Sequence, residues 1–217
     1  QNAAEVYDEE AELTTLRQEA NLGKAEAQFK LGKRFEKGTG VDQSDVEALS
    51  WYLKATHQGH EKAYLATGYF YRHGRGTQVN LEQAKIYYKK AAELGNLTAA
   101  NNLALIYLNG AVEKASPTER KLAKPWLVMA ASGGKSRSQL ELAKLYLTQA
   151  ELESKYQNTA YSKAQNLLKK ASKSRNKSVR EQAKKLLQEQ IKSLGSKLVQ
   201  QSKAKLRWVE IPAGHFL

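Results

Sequence analysis

The sequence contains no cysteine, which excludes disulfide bonds, thiol nucleophiles and cysteine-bound zinc. Proline and methionine are scarce, at 3 and 1 of 217 residues, and the 14 glycines are too few for a low-complexity chain. No run approaches 18 apolar residues, so we predict no transmembrane segment. What is present, 41% hydrophobic and 26% charged residues, is typical of a water-soluble globular chain with an ample core.

The chain also lacks the usual signatures of catalysis. There is no Gly-x-Ser-x-Gly motif and no phosphate-binding loop, because the paired glycines follow helices and not strands. His57 and His60 could bring two imidazoles together, but no third metal ligand is clustered near them and Gly59 ends the helix between them. We therefore expect no catalytic residue, no cofactor and no metal site.

A helix–turn–helix pattern recurs about every 36 residues. Its clearest copy, residues 61–96, has a first helix, a turn marked by Gly74 and Gly76, a second helix and a closing Gly95. Matching positions in successive copies carry Ala27, Ala63 and Ala99; Phe35, Tyr71 and Tyr107; Trp51-Tyr52, Tyr87-Tyr88 and Trp126-Leu127; and Ala55, Ala91 and Ala130. In the fourth copy Gln149 stands where a turn glycine is expected. A fixed period with a two-helix unit is typical of an α-solenoid.

We therefore predict an all-α fold, a right-handed α-solenoid of about four two-helix repeats with capping helices at both ends. The expected segments are an N-terminal capping helix at 1–23, the repeats at 24–175 and a basic C-terminal helical cap or linker at 176–206. A break in the terminal helix is predicted near Gly195. Residues 207–217 are expected to form a tail or the start of a further domain.

The repeat motifs resemble a known family. Residues 27–41 read Ala-x-x-x-Leu-Gly-x-x-Phe-x-x-Gly-x-Gly-Val, and Ala48-x-x-Trp51-Tyr52-x-x-Ala55 follows. These residues resemble the Sel-one-like repeats, relatives of the tetratricopeptide repeats, over about residues 15–175. The resemblance implies a non-catalytic adaptor that holds a protein partner on a curved helical surface. It also implies export to the bacterial envelope, which suggests a periplasmic protein, while a cytoplasmic location stays open.

The C-terminal tail carries a second resemblance. Residues 206–217, Leu-Arg-Trp-Val-Glu-Ile-Pro-Ala-Gly-His-Phe-Leu, look like the opening strand of the formylglycine-generating, sulfatase-modifying-factor family. The resemblance implies that the chain is the N-terminal interaction region of a larger bacterial protein. The alternatives for the protein are a stand-alone envelope adaptor or a secretion-toxin immunity protein. The alternative for the segment is a frayed tail that happens to contain Pro and Gly.

The partner surface is expected on the exposed side of the first helices, which lines the concave face in tetratricopeptide-like stacks. Its ligand would be a protein or peptide, and Lys and Arg at the rim would suit an acidic one. The candidate residues are Phe29, Lys33, Tyr69, Arg72, His73, Asn101 and Lys144. Aromatic, cationic and amide groups are the mixture found at protein-binding hot spots. The competing interpretation is that some of these side chains pack between repeats.

The net charge of +13 is unevenly distributed. Residues 1–60 hold 11 acidic and 7 basic side chains, whereas residues 163–206 hold 13 basic side chains against Glu181 and Glu189. Such a basic region can bind nucleic acid or an anionic membrane, and a solvated helix face is the simpler interpretation. Lysine dominates and no aromatic residue lies within it, which disfavours nucleic-acid binding by base stacking. The oligomeric state is left open.

Overall fold

The computed structural model describes residues 3–152 and 157–207, and all regular structure in those ranges is helical. The helices are α1 (Ala3–Asn21), α2 (Ala25–Lys37), α3 (Asp45–His57), α4 (Glu61–His73), α5 (Leu81–Glu93), α6 (Leu97–Tyr107), α7 (Pro117–Ser132), α8 (Ser136–Leu152), α9 (Gln157–Ala171) and α10 (Lys177–Arg207), with a 3₁₀ turn at Val112–Lys114. The predicted all-α fold of paired helices, an α-solenoid of repeats, is confirmed. None of the helices in the described part of the chain is long and apolar enough to cross a membrane.

Glycines set the length of the first helix in the first two repeats. Both α2 and α4 have 13 residues, and each ends at a glycine in the left-handed region, Gly38 at φ 69° and Gly74 at φ 66°. Gln149 replaces the turn glycine of the fourth repeat, and α8 continues to Leu152 with 17 residues. Without a residue suited to positive φ, the helix has no local reason to stop where its counterparts do.

Side-chain caps start the helices at recurring positions. His60 accepts a hydrogen bond from the Ala63 N–H at 3.1 Å, and Asn96, 36 residues later, accepts one from the Ala99 N–H at 2.9 Å. Ser116 and Glu119 form a capping box at the start of α7. His60 thus has a helix-capping role that explains its place in the repeat without a metal.

Two compact units divide the chain, Gln1–Ser138 and Gln139–Leu217. In the first unit the predicted alanine and tyrosine positions form the core: Ala48, Tyr52, Ala55, Ala84, Tyr88, Ala91, Ala99 and Ala130 are fully buried. The helices approach closely because the facing residues are small. A Cβ added at Gly32 would lie 2.8 Å from the Tyr52 ring, and one added at Gly68 would lie 2.7 Å from the Tyr88 ring.

The second unit has its own core. It is a cluster on α8, α9 and the first half of α10, formed by Leu140, Ala143, Ala164, Leu168, Ala171, Val179 and Ala183. The apolar stripe that begins α10 therefore packs on the preceding helices. The break predicted near Gly195 is wrong, since α10 runs through that residue to Arg207. One interior glycine costs a helix only about 1 kcal/mol relative to alanine, which a helix of 31 residues can absorb.

The predicted tail falls almost wholly outside the described residues. Leu206 and Arg207 are the last two residues of α10. The remaining residues of the formylglycine-generating resemblance, 208–217, lie beyond the described range.

Candidate partner-binding surface

The predicted surface residues of the first unit lie on three first helices, α2, α4 and α6. Lys33, Tyr69 and His73 are exposed, whereas Phe29, Arg72 and Asn101 are half-buried. Lys33 and Tyr69 hold the same repeat position, 36 residues apart. The repeat therefore presents this position to solvent twice, once as a cation and once as an aromatic ring.

Phe29 packs between repeats. Its ring stacks on the His60 ring with centroids 4.7 Å apart and lies 5.6 Å from the Tyr52 ring. The Lys33 ammonium lies 5.9 Å from the Phe29 ring centroid. Phe29 thus holds His60 in place, and only part of its ring remains for a partner.

Tyr69 is the centre of the exposed part of the surface. Its side chain is 42% exposed, and its ring lies 4.3 Å from the His73 ring, one turn later on α4. The Arg75 guanidinium lies 6.0 Å from the Tyr69 ring centroid. An exposed tyrosine flanked by an imidazole and a guanidinium offers an apolar platform with polar edges.

Asn101 is fixed by a short chain of hydrogen bonds. Its Oδ1 accepts from the Ser138 hydroxyl at 2.8 Å, and its Nδ2 donates to the Asn102 Oδ1 at 3.3 Å. The two amides are thereby oriented, and the Nδ2 of Asn102 remains as a donor at the end of the chain.

Lys144 belongs to the second unit and is largely covered. Its side chain is 12% exposed, and its Nζ lies 3.5 Å from the fully buried Glu141 carboxylate and 3.5 Å from the Gln182 Oε1. A buried carboxylate needs such a cation to offset its loss of hydration. Lys144 therefore pairs with a residue of its own helix, and it offers little exposed surface for the predicted role in binding a protein partner.

A polar network at the first inter-repeat junction was not predicted. Arg75 Nη1 donates to Glu36 at 2.8 Å, and Arg75 Nε donates to Asp45 at 3.0 Å. The Tyr52 hydroxyl donates to the other oxygen of Glu36 at 2.5 Å. Burial first, and then the bond to Glu36, raise the pKa of Tyr52 above its usual range. The network ties the turn of the second repeat to both helices of the first.

The only sequence signal for this network is the position of Arg75 between Gly74 and Gly76. A Cβ at Gly76 would lie 2.3 Å from the Asp45 carbonyl oxygen, so this turn lies directly against the first residue of α3. A long cation between two such glycines is placed to reach the acids around it.

A groove of about 620 Å³ lies along α1 and α2 and is lined in part by Lys33. Charged side chains dominate its lining: Glu12, Glu19, Lys24, Glu26, Lys30, Lys33, Arg34 and Lys37. Many are paired, with Lys24 Nζ 2.6 Å from Glu19 and Arg34 Nη2 3.0 Å from Glu12. The repeat equivalents of Glu12 and Glu19 are Ala48 and Ala55, both fully buried. Here the interior alanines are replaced by charged residues, which makes this face compatible with water.

The histidines singled out as possible metal ligands have other surroundings. His57 is exposed, and His60 is engaged by Ala63 and by Glu26, whose carboxylate lies 2.9 Å from its Nε2. Within residues 3–152 and 157–207, no group of three His, Cys, Asp or Glu side chains is close enough to hold an ion.

Comparison with known proteins places the repeats in a family. The family model described as the Sel1 repeat matches residues 25–60, 62–96, 97–135 and 136–176. The chitin synthase regulator SKT5 of Saccharomyces cerevisiae is 40% identical over 62 residues, which is 29% of this chain and 9% of that protein. An F-box protein of Arabidopsis thaliana is 32% identical over 113 residues, 52% of this chain and 30% of its own length. This chain therefore spans under a third of either relative.

A solved structure with the same fold is a protective antigen of uropathogenic Escherichia coli strains, described as displaying an SLR fold. It is 30% identical, with a TM-score of 0.61, over 76% of this chain and 33% of the antigen.

Proposed function

Because the chain belongs to the Sel1 repeat family, whose members are scaffolds for protein–protein interaction, we propose that it binds a protein partner through the exposed sides of α2 and α4. Tyr69 is the anchor of the proposed surface, with Arg72 and His73 beside it on α4. Lys33 and the exposed part of Phe29 extend the surface along α2, and Asn101 extends it toward α6.

The single observation that supports this most strongly is the exposure of Tyr69. It is the only aromatic residue among the exposed large hydrophobic side chains of the described residues; the others are aliphatic. Tyrosine and arginine dominate binding hot spots because they combine a large contact area with polar groups. An aromatic ring held at the surface by its neighbours loses little conformational freedom on binding.

The experiment compares two double variants of the full chain. Tyr69→Ala with Arg72→Ala removes the proposed anchor. Ile86→Ala with Lys90→Ala removes one apolar and one cationic side chain from the exposed face of α5 and serves as the matched control. Partners captured from a lysate of the source organism are identified by mass spectrometry, and the dissociation constant of each is then measured with purified proteins.

We expect the control to bind as the unmodified chain does and the Tyr69/Arg72 variant to lose at least about tenfold in affinity, as hot-spot truncations do. Thermal unfolding of each variant shows whether it is folded. Equal affinity for both variants would place the partner elsewhere.

Two finer features are also proposals. Placement of the chain in a larger bacterial protein rests on the resemblance of residues 206–217, and the parent sequence beyond them decides it. Export to the periplasm rests on the family resemblance alone, since the relatives include fungal and plant proteins. Localisation of the tagged chain in fractionated cells tests it.

Binding of nucleic acid or anionic membrane by the basic segment 163–206 is the competing proposal. Such binding is expected to fall steeply between roughly 50 and 200 mM salt, because neutralised phosphates release counterions. Partner binding that survives this range and depends on Tyr69 favours the scaffold function.

A further inference from the structure

Two successive junctions between repeats share a tyrosine at the same position. Tyr52 lies against Gly32 and Tyr88 lies against Gly68, and both side chains are fully buried. At the first junction the hydroxyl donates to Glu36, and Arg75 joins Glu36 to Asp45. One cation thus serves two carboxylates.

The second junction has the cation without the carboxylates. Thirty-six residues after Glu36 comes Arg72, after Asp45 comes Leu81, and after Arg75 comes Ala111. Arg72 is half-buried, and no carboxylate among the described residues forms an ion pair with it. The anionic Glu36 of the first junction is therefore replaced by the cationic Arg72 at the second. The cation that pairs with Glu36, Arg75, is replaced by Ala111.

The other polar groups at the second junction are a hydroxyl and an amide, and neither is a carboxylate. The Tyr88 hydroxyl is buried and has no hydrogen-bond partner within the described structure. Burial raises the pKa of Tyr88, and the neighbouring Arg72 and Asn102 oppose that rise. Asn102 stands where the first junction has Ala66, and its Oδ1 is already occupied by Asn101. Its Nδ2 is directed by the chain Ser138–Asn101–Asn102.

We propose that Arg72 and Asn102, with the unpaired Tyr88 hydroxyl beside them, form a carboxylate-binding subsite. The ligand group is the carboxylate of an acidic side chain or of a C-terminus in the partner. A guanidinium and an amide NH₂ match the two oxygens of a carboxylate, which is the group the first junction supplies from Glu36. Tyr69, on the adjoining turn of α4, would contact the residue next to the acid. The inference rests on the proposed function and names the chemistry of its partner.

Three peptides act as probes with the full chain: acetyl-Leu-Glu-Leu-amide, acetyl-Leu-Gln-Leu-amide, and acetyl-Leu-Gln-Leu with a free C-terminal carboxylate. Titrations follow the Arg72 Nε–Hε signal by NMR, with dissociation constants expected on the order of millimolar. We expect at least one carboxylate peptide to shift this signal and to bind about tenfold more tightly than the neutral peptide. Comparing the two carboxylate peptides identifies the source of the carboxylate.

Arg72→Gln is expected to remove the preference for carboxylates, and Arg72→Lys to keep only part of it because the bidentate fork is lost. Tyr88→Phe is expected to weaken the carboxylate peptide while leaving the neutral one unchanged. Lys90→Gln removes an exposed cation from α5, outside the proposed surface, and is the matched control. It should leave the preference intact.

Equal binding of all three peptides, or an equal loss in Lys90→Gln and Arg72→Gln, would overturn the subsite. The two proposals fail separately. If a captured partner depends on Tyr69 but not on Arg72, and the peptides show no carboxylate preference, the scaffold function is supported and the subsite is contradicted. If carboxylate peptides bind through Arg72 but no protein is captured, the subsite is supported and the scaffold function is contradicted.

Discussion

The first two repeats and the third fill one interior position in different ways. Tyr52 and Tyr88 each lie against a glycine in the preceding first helix, whereas the third repeat has Leu127 and Ala104 at the corresponding places. The fourth repeat, in the second unit, has Leu168 and Ala143. All of these side chains are fully buried. The large tyrosine ring packs against glycine, which has no Cβ, and the smaller leucine packs against alanine, which has one. The total side-chain volume at this position is therefore similar in all four repeats although the residues differ.

A tyrosine at this position brings a polar oxygen into the interior, and a leucine does not. That hydroxyl must be paired or its burial is costly. The first repeat pairs it with Glu36, and the second leaves Tyr88 beside Arg72 and Asn102. The two tyrosines therefore place a hydroxyl inside each of the two junctions nearest Tyr69.

The largest effect is expected from alanine at one of two equivalent turn glycines. Gly76 and Gly40 have similar positive φ, 65° and 71°, but an added Cβ would lie 2.3 Å from the Asp45 carbonyl oxygen at Gly76 and 3.6 Å from the nearest atom at Gly40. Gly40→Ala should cost only the left-handed strain, about 1–2 kcal/mol. Gly76→Ala adds a clash with backbone and should cost about 2–5 kcal/mol in all. Urea unfolding of both variants measures the difference, and equal losses would contradict it.

The second prediction replaces the glycine–tyrosine pair of the second repeat with the alanine–leucine pair of the third. Gly68→Ala puts a Cβ 2.7 Å from the Tyr88 ring and should destabilise the chain by about 1–3 kcal/mol. Adding Tyr88→Leu reproduces the pair found in the third repeat and should recover much of that loss. A double-mutant cycle by urea unfolding checks this, and strictly additive effects of the two changes would argue against compensation.

Much of this packing is predictable from sequence because the period identifies it. The recurrence of Ala55, Ala91 and Ala130, and of Tyr52 and Tyr88, distinguishes the buried face of each second helix from its exposed face. The turn glycines likewise give the ends of α2 and α4. Such features depend on one helix position at a time.

Contacts between side chains that are far apart in the sequence were not predictable. Arg75 meets Asp45 across 30 residues and Glu36 across 39, and neither spacing is a feature of a single helix. Phe29 occupies a partner-facing register but stacks on His60, and Lys144 pairs with the buried Glu141. Periodicity gives the face of a helix, whereas the neighbour that covers a side chain depends on how helices pack.

The third prediction separates the two tyrosine hydroxyls. Tyr52→Phe removes a hydrogen bond to the Glu36 carboxylate and should cost about 1–2 kcal/mol. Tyr88→Phe removes a buried hydroxyl that has no partner in the described structure, so its unfolding free energy should be unchanged or slightly higher. Thermal and urea unfolding of the two isosteric variants compare the junctions directly. A loss at Tyr88 as large as that at Tyr52 would show that the second hydroxyl is paired after all.

The smallest effect concerns helix starts, where the cap of α7 carries a carboxylate and that of α5 does not. Asn80 caps α5 with a neutral amide, whereas Ser116 caps α7 together with Glu119. The hydrogen bond from the Ser116 backbone N–H, followed by that from its side chain, lowers the pKa of Glu119 below the ordinary glutamate value of 4.5. Because the folded-state pKa is the lower one, this stabilisation is present above pH 4.5 and is lost as the pH falls through the folded value.

Glu119→Gln should therefore lower the melting temperature near neutral pH and converge on the unmodified chain in acid. Ser116→Ala is the control, because it removes the hydroxyl cap but keeps the backbone N–H that binds the carboxylate. Its melting temperature should be lower across the whole pH range. Melting curves between about pH 3 and 7 distinguish the two variants. A Glu119→Gln deficit that does not change with pH would mean that the side chain acts through packing and not through its charge.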